Sequence, residues 1–328
     1  MPPVANPAGF RITCLLFLLL CVDANSLAIA QLPTLPPRAV EEPIRPIPAA
    51  RTQDPRRVTL GEHLFEDRRL SHNSTHSCSS CHDIRTNGAS TNARDLNPRG
   101  EPLALNTLTV FNAALSLFLN WEGNLRSLDL EVEQTLSNPA IMASSVEEVL
   151  SKLRSDPAEV KQFREAYGHG PDRDSLLDAI AVFEGSLVTP GSRFDRWLAG
   201  DASAITSEEL SGYRLFKSLG CISCHQGVNV GGNLFQRHGI FHPLGSPEPV
   251  LVRVPSLRNV AATAPYFHDG SAPTLKEAVK TMGFAQLDRV LTGEQIAAIV
   301  AFLNTLTGTY AGRPVTPGAG APGTGVSP

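Results

Sequence analysis

Two pentapeptides constrain this chain more than any other feature: Cys78-Ser79-Ser80-Cys81-His82 and Cys221-Ile222-Ser223-Cys224-His225. Each reads C-x-x-C-H, the attachment signal for c-type haem. Two thiols add across the two vinyl groups of one porphyrin, and two intervening residues let a single turn of chain set both sulfurs along one ring edge. The histidine that follows is then held under the iron as an axial ligand. A lone C-x-x-C would serve zinc, a redox dithiol or a disulfide equally well. A four-thiolate zinc site would have to unite the two pairs, yet each pair brings its own histidine. Two covalently bound haem c groups are therefore the leading reading, with zinc or disulfides as the alternative.

The 328 residues leave room for two modest domains. With 42% hydrophobic and 18% charged residues, the chain has the composition of a soluble globular protein. A net charge of −4 and the lack of any basic block point away from nucleic acid and from a membrane surface. Residues 1–30 read as a signal peptide: Arg11 precedes an apolar run from Ile12 to Val22, and Ala28-Ile29-Ala30 supplies the cleavage site. An uncleaved anchor is the alternative; the apolar run is too short to span a bilayer. Cleavage removes Cys14 and Cys21, leaving only the four attachment thiols and none for a structural disulfide. Export without disulfides fits the bacterial periplasm, where c-type haem is attached.

Residues 31–56 are proline-rich and predict an extended lead. Residues 57–188 predict a first haem domain. A helix over 57–69 enters the first motif, and a polar loop runs from His82 to Asn106. Candidate helices follow over Thr107–Leu119 and Ser127–Leu136, after Ser144-Ser145-Val146-Glu147, and after Asp174. Residues 189–310 predict a second haem domain, with capping boxes at Thr206, Thr274 and Thr292 and a helix ending near Met282. The Gly/Pro/Ala-rich residues 311–328 predict a disordered tail. The expected fold is all-α, two cytochrome c-like haem domains with long loops, each small core completed by its haem.

The remaining iron ligands are less determined. Met282 follows the second motif and reads equally as a thioether ligand or as a core methionine. Near the first motif stand His63, His72 and His76, but the loop after His82 holds neither His nor Met, so an open sixth position is a further option. An open iron reacts with peroxide or oxygen; a closed one relays electrons.

Several stretches resemble the bacterial di-haem cytochrome c peroxidases: Leu60-Gly61-Glu62-x-Leu64-Phe65-x-Asp67-x-Arg69-Leu70-Ser71, Trp121-Glu122-Gly123, Asn138-Pro139, Asn229-x-Gly231-Gly232, Val254-Pro255-Ser256-Leu257-Arg258-Asn259-Val260, Thr263-Ala264-Pro265-Tyr266-Phe267-His268-Asp269-Gly270 and Met282-Gly283. The resemblance covers roughly residues 57–308 and implies much. The haem of Cys221, Cys224 and His225 would take Met282 as its second ligand and receive electrons. The haem of Cys78, Cys81 and His82 would be where peroxide is reduced, with Trp121 between the two. A calcium ion would bind Asn106, Thr263 and Pro265, whose oxygens suit that hard cation. The electron donor would be a small cytochrome c or cupredoxin, and the family commonly forms homodimers.

Departures from the family pattern are informative. Pro98 stands where a displaceable distal His is usual, which predicts a first haem open without reductive activation. Glu131 and Ile141 stand where the family places Gln and Glu. Cleaving the O–O bond needs a group that moves a proton from one oxygen to the other; Ile141 cannot, so Glu131, or Glu133 in another register, is the candidate. The alternatives to a peroxidase are a di-haem oxidase of a protein residue, like the enzymes that mature methylamine dehydrogenase, and a di-haem electron-transfer protein. The maturation enzymes carry Tyr where Met282 stands, which argues against the first.

Overall fold

The computed structural model describes residues 42–319. The expected signal peptide, the first part of the proline-rich lead and the end of the expected tail lie outside them. Nine α-helices occur among the described residues: α1 (Pro55–Glu66), α2 (Leu128–Ser137), α3 (Val146–Arg154), α4 (Pro157–Tyr167), α5 (Arg173–Ser186), α6 (Arg193–Leu198), α7 (Ser207–Ser218), α8 (Leu275–Leu287) and α9 (Gly293–Asn304). Two small antiparallel hairpins pair β1 (Phe235–Arg237) with β2 (Leu251–Arg253) and β3 (Thr309–Tyr310) with β4 (Arg313–Pro314). The architecture is mostly α, and none of these helices is long and apolar enough to cross a membrane.

Each half is built on the same helix crossing. In the first, α1 lies across α5 at Gly61, where a Cβ would strike the Ala179 carbonyl oxygen. In the second, α7 lies across α9 at Gly212, where a Cβ would strike the Ala298 carbonyl oxygen. One turn further along each helix, an aromatic pair closes the crossing. Phe65 meets Phe183 with centroids 5.3 Å apart, and Phe216 meets Phe302 at 5.2 Å. Each pair touches a motif histidine, Phe65 lying 6.4 Å from His82 and Phe216 6.3 Å from His225. The shared spacing makes the two halves repeats of one unit: glycine lets the backbones approach, and the aromatics seat the attachment turn.

Local sequence explains the helix starts. Thr206 and Thr292 form reciprocal capping boxes with Glu209 and Gln295, and Thr274 caps α8. Asp172, two residues before the expected Asp174, caps α5 through Ser175. The Asp156-Pro157 pair starts α4, with aspartate as cap and proline at the first helical position.

Four expectations need correction. The apolar run Thr107–Leu119 holds only a single 3-10 turn, Ala113–Leu115. Asn112 takes a left-handed φ of 63° and exchanges side-chain bonds with Thr189, so the run stays extended and most of it lines a cavity. Helix α8 does not end at Met282 but runs on to Leu287, because Gly283 sits inside it against Leu291 and the left-handed cap comes at Asp288. The proline-rich lead is more than a tether from residue 42 onward. Ile44 is buried in the second half's core, Glu42 accepts from Tyr213 and Lys217, and Arg45 offers its carbonyl to Arg258. The start of the expected disordered tail is ordered too: Val315 is buried against Phe65, Phe111 and Phe183 of the first half.

Candidate active site

Both motifs adopt the same local geometry. Cys78–Ser80 and Cys221–Ser223 are 3-10 turns. The amide of His82 donates to the Cys78 carbonyl at 3.0 Å, and that of His225 to the Cys221 carbonyl at 3.1 Å. This winding places two sulfurs and one imidazole on the same side of each turn. The four motif cysteines form no disulfide, and among the described residues no cluster of ligand atoms unites the two pairs. Both turns open onto one continuous cavity of about 870 Å³, lined by Cys78, Cys81, His82, Cys221, Cys224 and His225.

The chemistry of these groups fits haem. Burial pushes the Cys81 thiol up to about 12, with Asp95 adding to the rise, and the Cys221 thiol to about 11; burial raises Cys78 well above the usual thiol range too. Burial lowers both histidines, His225 to about 4, which keeps the imidazoles neutral and able to ligate. His82 Nδ1 lies 3.1 Å from the Gly88 carbonyl. A carbonyl only accepts, so Nδ1 carries the proton and Nε2 keeps its lone pair for the iron. His225 is 8% exposed and lines the same cavity, where its neutral imidazole is available as a ligand.

Met282 lies on the face of α8 that lines the cavity, with Leu275, Ala278, Val279 and Gln286. Trp121, 8% exposed, donates from Nε1 to the Asn106 carbonyl at 2.8 Å and stands edge-on to His268. Asn106, Thr263 and Pro265 all border the same cavity. The amide of Asn106 donates to Asn92 and Ala93 carbonyls, which turns its side-chain oxygen away from that pair.

The three histidines near the first motif divide. His63 is bonded to Glu159 and His72 to Glu148, both on the outer surface. His76 borders the cavity but is held on the approach to the attachment turn, bonded to Thr75. Pro98 sits in a tight loop closed by Asn97 and Glu101 and does not line the cavity. Glu133 is paired with Arg173 at 2.5 Å on the surface, which removes it as a proton carrier. Glu131 and Ile141 both face the cavity, Glu131 accepting from Thr135 at 2.9 Å.

Sequence reasoning missed Glu184. It is 6% exposed and lines the cavity beside Ile180, and its carboxylate meets no hydrogen-bond donor among the described residues. Desolvation raises Glu131, and burial followed by repulsion from Glu131 raises Glu184 well above the usual carboxylate range. Both carboxylates also raise Cys78, so the pair stands at the thioether edge of the first site. The signal was an acidic residue on the apolar stripe of an amphipathic helix, beside Phe183.

A family model described as di-haem cytochrome c peroxidase matches residues 55–203, and a cytochrome c model matches residues 210–307. With two attachment turns on one cavity, these matches define the class: a di-haem c-type cytochrome. The chain is 39% identical to the cytochrome c551 peroxidase of Nitrosomonas europaea over 82% of its own length and 85% of the relative's. It is 38% identical to the cytochrome c peroxidase Ccp of Escherichia coli over 84% of its length, spanning 63% of that protein. A solved MauG-like protein associated with microbial copper homeostasis superposes with a TM-score of 0.68 at 25% identity, covering 79% of this chain and 93% of that one. The chain belongs to the di-haem cytochrome c peroxidase family and is an oxidoreductase of the peroxidase class.

Proposed function

We propose that this chain works in the periplasm, reducing hydrogen peroxide to two waters with two protons and with two electrons from a small cytochrome c or cupredoxin. The observation that carries the reading is the inequality of two like attachment turns on one cavity. Both turns share it with the thioether of Met282 and the carboxylates of Glu131 and Glu184, but the carboxylates act on Cys78 of the first turn, whereas α8, which carries Met282, packs Ala278 and Val279 into the core against Cys221 of the second. The first half's own methionine, Met142, touches the cavity wall but is packed into that half's core, 3% exposed. Bound at the four cysteines, the haems supply iron and the redox couple; the protein supplies iron ligands, proton transfer and the path between the sites.

His225 and Met282 would hold the iron of the second haem, and a haem ligated by both would leave peroxide no iron position there. A Met/His pair favours the reduced state, which suits an electron-entry site. His82 would hold the iron of the first haem, and with Pro98 in place of a distal histidine that haem would meet peroxide without reductive activation. Glu131 takes the proton from one peroxide oxygen and returns it to the other, doing the work that Ile141 cannot. Glu184 beside it keeps one proton in the pair. Trp121 bridges the two sites, and Asn106, Thr263 and Pro265 offer oxygens to a calcium ion.

The test is an absorption spectrum of the fully oxidised protein, followed by addition of peroxide. A high-spin signal that is consumed by peroxide without prior reduction is expected. Two low-spin, six-coordinate haems inert to peroxide would refute the assignment.

A further inference from the structure

One side chain in the cavity wall is unaccounted for by any of these roles. Arg253 is 6% exposed, and it is the one lysine or arginine among the described residues that line the cavity. Its backbone amide donates to the Trp121 carbonyl and its Nε to the Asn120 carbonyl, both at 2.7 Å. Those two bonds aim the guanidinium. Its two terminal nitrogens meet no hydrogen-bond partner and no carboxylate among the described residues. By contrast, the equally buried Arg258 is fully met, by Asp195, Val228 and Arg45.

A desolvated cation with unused donors is costly unless an anion completes it. Burial alone lowers the Arg253 guanidinium to about 10, with no opposing charge to restore it. The cavity is otherwise bordered by acids (Glu122, Glu131, Glu184) and by histidines. A haem brings its own anions: each porphyrin carries two propionates on the edge away from its vinyl groups. Covalent attachment fixes the vinyl edge at the cysteines, so the propionate edge needs a partner elsewhere in the cavity. A guanidinium presents a planar fork that matches a carboxylate with two hydrogen bonds.

We propose that Arg253 is a haem-propionate clamp: its free terminal nitrogens bind the propionate of a haem lodged in this cavity and fix that edge beside Trp121. This rests on the two-haem reading. Because β2 holds Arg253 by backbone bonds to Trp121, the clamp joins the haem edge to the residue between the two sites. The charge would also favour the reduced haem, since it offsets a nearby negative group.

The experiment is a redox titration of both haems in the wild-type holoprotein, Arg253→Met and Arg253→Lys, repeated at several pH values. Two one-electron waves in the wild type establish the two-haem reading independently of the clamp. Arg253→Met is expected to lower the midpoint of one haem and to make it fall with rising pH near neutrality, as the freed propionate titrates. Arg253→Lys, which keeps the charge, is expected to stay close to the wild type. The clamp is overturned if both waves of Arg253→Met match the wild type at every pH. It is equally overturned if the Met and Lys variants shift alike, because the effect would then be packing and not charge.

Discussion

At Glu131 the surroundings set the direction of a pH dependence. A group must be ionised to accept a proton, and desolvation raises Glu131. The peroxide reaction should therefore quicken as pH rises through that raised value. Glu131→Gln should slow peroxide-dependent oxidation of a reduced donor by about 100-fold or more and flatten this limb; an unchanged kcat/KM would remove Glu131 from the reaction. Glu184→Gln replaces an acid that already holds its proton with a neutral amide, so the limb should stay in place while Glu131 still works. The same group bears on stability. Glu184 is raised in the folded state, so its contribution is fully present below the unfolded value of about 4.3 and is lost as pH rises through the folded one. Glu184→Gln should thus resist denaturant better than the wild type at neutral pH, the gain vanishing in acid. Met282→Ala tests the other site: the midpoint of one haem should drop, and an unmoved midpoint would return Met282 to the role of core side chain.

At the scale of elements, the crossings at Gly61 and Gly212 carry a sharp expectation. Alanine normally favours a helix over glycine, yet here its methyl group meets a partner helix's carbonyl oxygen. Gly61→Ala and Gly212→Ala should each cost about 1–3 kcal/mol in denaturant unfolding, as overpacked core positions do. No loss would mean that the helices separate freely. This paired device was written in the chain as Gly-x-x-x-Phe in α1 and α7 facing Ala-x-x-x-Phe in α5 and α9, yet period and caps alone did not single it out. What local chemistry marks was legible: the attachment turns, the threonine caps, and a mostly α pattern. What depends on distant partners was not. The apolar run at Thr107–Leu119 reads as a helix until Thr189 takes Asn112 out of helical geometry. Arg253 looks like an ordinary surface charge until the cavity it lines is known. The resemblance named Glu131 by position, but only the folded arrangement shows it beside Glu184, and Glu133 turned outward to Arg173.

Across the whole molecule, the ends of the described chain are exchanged between the halves. The segment before α1 lays Ile44 and Ile47 on the second half, where Ile47 bonds to Asp195 and the buried Asp195–Arg258 pair grips Arg45. The segment after α9 returns as the β3–β4 hairpin and buries Val315 in the first half. Neither half therefore completes its own core, and the two should melt together although each holds its own haem. Burying Ile44, Ile47 and Val315 is worth about 1.5–3 kcal/mol each. For a chain of this size each kcal/mol is about 2–4 °C, so a mature chain trimmed to residues 48–308 should melt roughly 10 °C or more below the full chain. Thermal unfolding followed together in the haem absorption and the far-ultraviolet signal would measure this. Removing only the leading segment should loosen the Met282 site first, and removing only the trailing one should loosen the His82 site first. Equal melting temperatures for trimmed and full chains would mean that the straps lie on finished domains and do not complete them.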